Sequence, residues 1–470
     1  MRTKAKGVLL IVVVVALCAP RICSANMYPG SECHGTPDFS VDLNNIEEII
    51  RELASEKYMG RLPGTQGNWD AVEYVADYFR RLGLVCPESL DGYLQPYVQP
   101  VRMFRRAPEL QIVDAVGNLV SNFNYVEQYA PAPMQGWMVS KEVVGEGVVL
   151  ERLSHLDDME DGKILLIPLP ISESAADMHI LYNRLASEDE DPPEFAGIVL
   201  ETDIAEIGYF PVYGLISQDV EFQDRDAHLS SGPVIFKCDV DVFSRLVEAS
   251  GCGLRIRMDW DFAVEDVIAA NVVAVLLGPD GEVDEDHVII GAHIDHMGSN
   301  FNGTYNPGAM DNASGMAAMM EIARLLAETA HRPRRAVVFI AFNGEEEGMW
   351  GSRYYSNNPC YPLDEAVMIN IDNVGSKYDV PLVIEEYAMM LTSLVYHLYG
   401  IALQHGIDSE MGSGSMCDNA SFALAGIEAV SLIHPDYSYG FHGPADTPDR
   451  VDARRVAEIV DIILNYLYSY

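Results

Sequence analysis

Residues 288–295 read Val288-Ile289-Ile290-Gly291-Ala292-His293-Ile294-Asp295. The unbroken apolar run before the histidine, rich in β-branched side chains and too short for an ordinary helix, predicts a strand buried on both faces. Such a strand belongs in the middle of a sheet covered on both sides. It ends here on a histidine and, two residues on, an aspartate. Working outward, the same texture recurs at Asn271 to Leu277, Ala336 to Phe342, Ala366 to Ile371 and Ala429 to Ile433. Between the runs at 288 and 336, Met319, Ile322, Ala323 and Leu326 fall at helical spacing, and Pro333 lies beyond them. Strands alternating with helices predict an α/β fold with a mixed central sheet and helices on both faces.

Acids and histidines gather at the carboxyl ends of these runs. Glu345 and Glu346 follow Val337 to Phe342, Asp372 ends Met368 to Ile371, and His442 lies in the loop beyond Val430 to Ile433. Open α/β sheets form their sites on that edge. Imidazole and carboxylate donors suit zinc, and one carboxylate shared by two ions places them roughly 3.5–4 Å apart, close enough to act on one carbonyl and one water. Such a centre also needs a base that is not itself a ligand. Two adjacent glutamates in a turn point different ways and can divide those tasks.

Five short motifs stand in order: Gly291-Ala292-His293-Ile294-Asp295; Asp311-Asn312-Ala313-Ser314-Gly315; Gly344-Glu345-Glu346-Glu347-Gly348 with Gly351-Ser352; Asp372-Asn373-Val374-Gly375; and His442 with Asp446-Thr447-Pro448. Together they resemble the co-catalytic di-zinc aminopeptidases, a superfamily of zinc-exopeptidase (phosphorylase/hydrolase-like) fold that includes glutamate carboxypeptidase and glutaminyl cyclase. The likeness extends to Gly60-Arg61-Leu62-Pro63-Gly64-Thr65 and to Cys417-Asp418-Asn419-Ala420-Ser421-Phe422.

The resemblance implies two Zn2+ per chain. Asp311 would bridge them, with His293 and Asp372 at one ion and Glu346 and His442 at the other. Glu345 would be the general base, and Asp295 would bond the far nitrogen of His293. A slip of one residue would make Glu346 the base and Glu347 the ligand. His296 has no ligand role in that pattern and reads as local packing or hydrogen bonding. Asp418 matches a recurrent acid of the family and reads equally as catalytic or as a loop or helix-capping acid, and Asp446 as support for the loop of His442. Phe441 stands where many relatives carry a tyrosine that helps hold an oxyanion, which leaves Tyr437, Tyr439 or the metals to that task.

The expected activity is therefore a metallo-aminopeptidase acting on peptide or protein N-termini. Glutaminyl cyclase, a carboxypeptidase or dipeptidase, and a non-catalytic receptor-like protein are the alternatives on the same scaffold. Gly348-Met349-Trp350-Gly351-Ser352 closes the glutamate turn without the insertion usual in the cyclases. Residues 411 to 418 offer no arginine for a substrate carboxylate, and all five ligand positions are filled.

Upstream, Arg2, Lys4 and Lys6 precede the apolar run Val8 to Ala19, and Cys23-Ser24-Ala25 offers a cleavage site. That layout predicts a signal peptide over 1–25 and an exported protein with no stable membrane insertion after cleavage. Residues 26–124 would begin the peptidase domain and 264–470 complete it. Over 125–263 short strand-like runs broken by Gly, Pro and acidic loops predict a mostly β insert, which loosely resembles a protease-associated domain. Six cysteines would remain, of which Cys238 and Cys252 are the first candidates for a disulfide. The formal net charge of −41, with 71 acidic against 30 basic residues, excludes nucleic acid and anionic membrane as partners. A salty habitat or plain solubility would account for it. The sequence assigns no oligomeric state.

Overall fold

The computed structural model describes residues 37–131, 141–172, 174–185, 194–202, 233–387, 392–414, 416–436 and 441–469. Eight strands build the central sheet: β1 (Leu94–Phe104), β2 (Phe262–Leu276), β3 (Val288–His293), β4 (Val337–Phe342), β5 (Val367–Asp372), β6 (Leu382–Glu386), β7 (Ser409–Ser413) and β8 (Glu428–Ile433). Across the sheet their order is β1-β2-β4-β3-β5-β8-β6-β7. The four central strands, β4, β3, β5 and β8, run parallel, while β1, β2 and β6 pair antiparallel with their inner neighbours.

The apolar runs are continuous because both faces of the sheet are covered. Val288, Ile290 and Ala292 of β3, with Val337, Phe339 and Ala341 of β4, pack into one core. The residues between them, Ile289, Val338, Ile340 and Phe342, pack into another. On the first face lie α1 (Leu43–Leu53), α2 (Gln66–Arg81), α3 (Ser314–Glu328), α5 (Ser393–Gln404) and α7 (Ala453–Tyr468). On the second lie α4 (Trp350–Asn357) and α6 (Asn419–Leu424), which bring Tyr355 and Phe422. Each such buried side chain contributes about 1.5–3 kcal/mol.

Helix α3 is buried almost all round, which explains its mild amphipathicity. Its one buried carboxylate is satisfied: Glu321 takes hydrogen bonds from Asp42 N at 2.7 Å and Asn45 Nδ2 at 2.6 Å, and pairs with Arg324 at 2.7 Å. Gly315, in its first turn, packs directly on β5. A Cβ there would lie 2.4 Å from the Ile371 carbonyl oxygen and 2.2 Å from Asn312 Oδ1.

The long strands β1 and β2 leave the sheet together as a two-stranded ribbon, paired from Leu94↔Val272 to Phe104↔Phe262. Beyond it stand two further sheets. One joins Leu119–Asn122, Glu109–Val113, Arg255–Trp260 and Lys141–Gly145. The other joins Tyr129–Pro131, Val234–Cys238, Gly197–Glu201, Ile164–Ile167 and Gly147–Val149. The insert expected over 125–263 thus pairs with strands that precede residue 125, and it contains the helices Ala175–Leu185 and Val240–Gly251.

Cys238 and Cys252 do not pair, and the described cysteines form no disulfide. The helix Val240–Gly251 runs between them, and its 12 residues span about 18 Å, several times the reach of a disulfide. The expected signal segment, 1–25, lies outside the described residues. Among those described, no helix is long and apolar enough to cross a membrane.

Candidate metal centre

The parallel strands β4, β3, β5 and β8 end on one rim. His293 is the last residue of β3 and Asp372 the last of β5, while Glu345 and Glu346 sit in the turn that follows β4. Asp311 lies just ahead of α3 with extended torsions, φ −114° and ψ 94°. Gly308, at φ +59°, makes its approach possible, since a Cβ there would lie 2.4 Å from the Asp311 carbonyl oxygen. Asn312 fastens this segment to β5 by donating to the Ile371 carbonyl at 2.9 Å, and its Oδ1 accepts from Gly315 N at 2.9 Å. His442 holds a left-handed backbone, φ +57°, a conformation that costs a non-glycine residue about 1 kcal/mol and clusters at functional sites.

Arg61 is buried at 1% exposure under this rim. It donates to the carbonyls of Ile294 and Pro307, both at 2.7 Å, and of Gly308 at 2.9 Å. One guanidinium thus ties the segments after β3 and before Asp311 to a single point.

The two oxygens of Asp311 face opposite ways. Its Oδ1 is 3.1 Å from His293 Nε2, which is 3.3 Å from Asp372 Oδ1. Its Oδ2 is 2.8 Å from His442 Nε2, which is 3.2 Å from Glu346 Oε2. Donors around a tetrahedral zinc, each at its usual bond length, stand about 3.3 Å apart. Nitrogen and carboxylate donors at such spacing, nearly all sealed from solvent, fit the chemistry of a divalent cation, which His293, Asp311 and Asp372 would hold on one side and His442, Asp311 and Glu346 on the other. Glu347 turns away instead, its Oε2 2.8 Å from Arg102 Nε.

Electrostatics point the same way. Asp295, Asp311, Glu345, Glu346, Asp372, Asp418 and Asp446 are all buried. Burial, with the charges of Asp372, Asp418 and Asp311 behind it, pushes the Glu345 carboxyl well above its ordinary range. Burial and the Asp311 charge do the same to Glu346. Burial raises Asp446 to about 7, and Asp418, with Asp295 and Asp372 adding to burial, also to about 7. Asp311 runs against its own burial, held well below the usual range by hydrogen bonds with His293 and His442. Divalent cations among these groups would neutralise the repulsion and favour the carboxylate forms.

Several residues act differently from the expectation. The Asp295 carboxylate lies 3.7 Å from His293 Nδ1, which is nearer to the Asp295 backbone carbonyl at 3.3 Å. Its oxygens instead accept Glu345 N and Glu346 N, each at 3.2 Å, because the turn after β4 presents both amides to it. The Asp446 carboxylate holds the Asp311 segment, accepting Met310 N at 2.9 Å and Asp311 N at 3.1 Å, while its own N–H donates to the Gly443 carbonyl beside His442 at 3.1 Å. Asp418 precedes α6 but makes no side-chain capping bond. His296 is fully buried and makes the kind of local hydrogen bond expected of it, Nδ1 2.7 Å from Glu346 Oε1, and it also joins Asp311 and Glu346 in a second donor group.

Cys417, which the sequence gives no site role, places its Sγ within 4.8 Å of carboxylate oxygens of Glu345 and Asp372. Phe441 stacks on the His442 ring with centroids 3.9 Å apart. Tyr437 and Tyr439 lie outside the described residues. Asn312 and Asn419, each followed two residues on by a serine in the pattern of a glycan acceptor, are fully buried.

The sequence profile of peptidase family M28 matches residues 271–467. A probable zinc metalloprotease of Pyrenophora teres f. teres is 33% identical over 134 residues, which is 26% of this chain and 28% of that protein. Aminopeptidase YwaD of Bacillus subtilis is 28% identical over 200 residues, 39% of this chain and 41% of that protein. The matched stretch therefore spans less than half the length of either relative. Among solved structures, a zinc aminopeptidase from Bacillus subtilis superposes with a TM-score of 0.61 at 18% identity, over 92% of this chain and 95% of that one. At that identity the likeness is one of fold.

Proposed function

We propose that the protein is an exported zinc aminopeptidase that hydrolyses the N-terminal peptide bond of peptides, a reading supported by the match of residues 271–467 to the profile of peptidase family M28. The observation that carries this reading is the division of the Asp311 oxygens between His293 with Asp372 and His442 with Glu346. Two zinc ions held there would polarise the scissile carbonyl and lower the pKa of water between them.

The protein's own contribution is placement and proton handling. Glu345, fixed through its amide by Asp295 and buried beside Asp372, takes the proton of the attacking water and delivers it to the leaving amine. Asp446 and Arg61 keep Asp311 between the two histidines, so the groups need no rearrangement during the reaction. We read the insert as a protease-associated domain that limits which substrates reach the rim, and residues 1–25 as the signal for export.

Aminoacyl-p-nitroanilides and peptides with N-terminal Gln separate this reading from its rivals. Release from the former should be lost on chelation. Glu345→Gln should lower kcat by about 10²–10⁴ while about two zinc ions per chain remain bound. Asp311→Ala should empty both sites and His293→Ala mainly one. Cyclisation of N-terminal Gln without residue release would assign the protein to the cyclases.

A further inference from the structure

The turn that carries Glu345 and Glu346 is held from two sides. From inside, Asp295 accepts both of its amides. From outside it leans on the ribbon strand β1. There Tyr97 donates its hydroxyl hydrogen to the Asn343 carbonyl. The buried Gln99 lies so close beneath Gly344 that a Cβ on that glycine would fall 2.0 Å from Gln99 Oε1. Arg102 then closes the contact. Both its Nε, at 2.8 Å, and its backbone N, at 3.3 Å, donate to Glu347 Oε2. The Glu347 side chain is only 6% exposed, against 27% for Arg102.

We propose that Arg102 is a positioning residue that sets the placement of Glu345 and Glu346 by gripping Glu347, and that through it the ribbon bearing the insert controls the turn. The proposal rests on the peptidase reading above. The pair is largely buried, so Arg102→Ala alone strands the Glu347 carboxylate and lowers stability, whereas the double variant with Glu347→Gln leaves no charge behind. Loss of the pair also acts through geometry, because a displacement of about 1 Å in a catalytic group can cost about 10²-fold in rate. Glu347 is two residues from Glu345 and next to Glu346, and a shift of its carboxylate moves both. Arg102 is two residues from Phe104, the last residue of β1. Displacement of the insert along the ribbon therefore reaches the turn directly.

The test uses the full-length protein and the aminoacyl-p-nitroanilide that it cleaves fastest. Arg102→Ala should lower kcat about tenfold with KM within twofold and zinc content near wild type, its urea midpoint lowered and that of the double variant with Glu347→Gln lowered less. Arg102→Lys, which keeps the charge, should recover part of the loss. Glu347→Gln should reproduce it, and the double variant should be no slower than either single one. The visible spectrum of cobalt-loaded protein should also change in Arg102→Ala, a readout of Glu346 that needs no turnover. An active wild type with unaltered kcat and spectrum in Arg102→Ala overturns the positioning role alone, as do single-variant losses that multiply in the double variant. A wild type that neither hydrolyses any substrate of the series nor binds cobalt overturns the peptidase reading, and the positioning role with it.

Discussion

Cys417 places a thiol within 4.8 Å of carboxylate oxygens of Glu345 and Asp372, on the partly exposed segment before α6. Alkylation by N-ethylmaleimide should therefore lower kcat/KM at least about tenfold by crowding the base. The Cys417→Ala protein should stay active before and after treatment, and equal inactivation of both would remove the claim. His434 permits a pH test at the same scale. Burial, reinforced by Arg455, lowers its pKa to about 3, and its Nδ1 accepts from Gly375 N at 3.0 Å. Unfolded, it titrates near 6.5, so between pH 6.5 and 3 the unfolded state binds the extra proton. Its stabilising share is complete above pH 6.5 and drains as acid is added. The unfolding free energy of wild type minus that of His434→Asn should fall by about 1.4 kcal/mol per pH unit between pH 6 and 4. Parallel curves would refute it. The residues on strand ends were legible because local texture located the strands. Asp295 and Asp446 carried no such signal for their partners. Which amide a carboxylate accepts depends on how the turn after β4 and the loop before α3 come to lie against it.

Among the elements, the central strands were readable because burial on both faces demands unbroken apolar runs. Strand β1 was not, since Pro96 and Pro100 interrupt it. It lies at the edge of the sheet, where a missing amide donor breaks no ladder on the open side. Strands β6 and β7 occupy the opposite margin and are short, and β7, with Glu410, Gly412 and Ser413, has no apolar period to detect. The early strands of the insert are equally brief. The seat of α3 on β5 supplies an element-scale test. Gly315→Ala must push a methyl against the Ile371 carbonyl and Asn312, so the variant should lose about 2–3 kcal/mol of stability by urea unfolding. Zinc affinity should fall with it, because Asn312 adjoins Asp311. A midpoint equal to wild type would mean that the helix can slide at no cost.

At the scale of the whole molecule, the net charge of −41 spreads repulsion that salt screens. Raising sodium chloride from about 0.1 to 1 M, where the screening length drops to about 3 Å, should lift Tm by about 2–4 °C. An unchanged Tm would show that the charge serves solubility alone.

The ribbon has one more consequence. Phe104 and Phe262 face each other as neighbours on adjacent strands, and just beyond them Arg105 N donates to the Asp261 carbonyl at 2.8 Å. The outgoing and returning chains are thus one ladder rung apart at the point of departure. A tight Asn-Gly hairpin could be spliced across that gap without moving either strand. Everything between could in principle be exchanged as a cassette, with the rim of histidines and acids left on its own foundation.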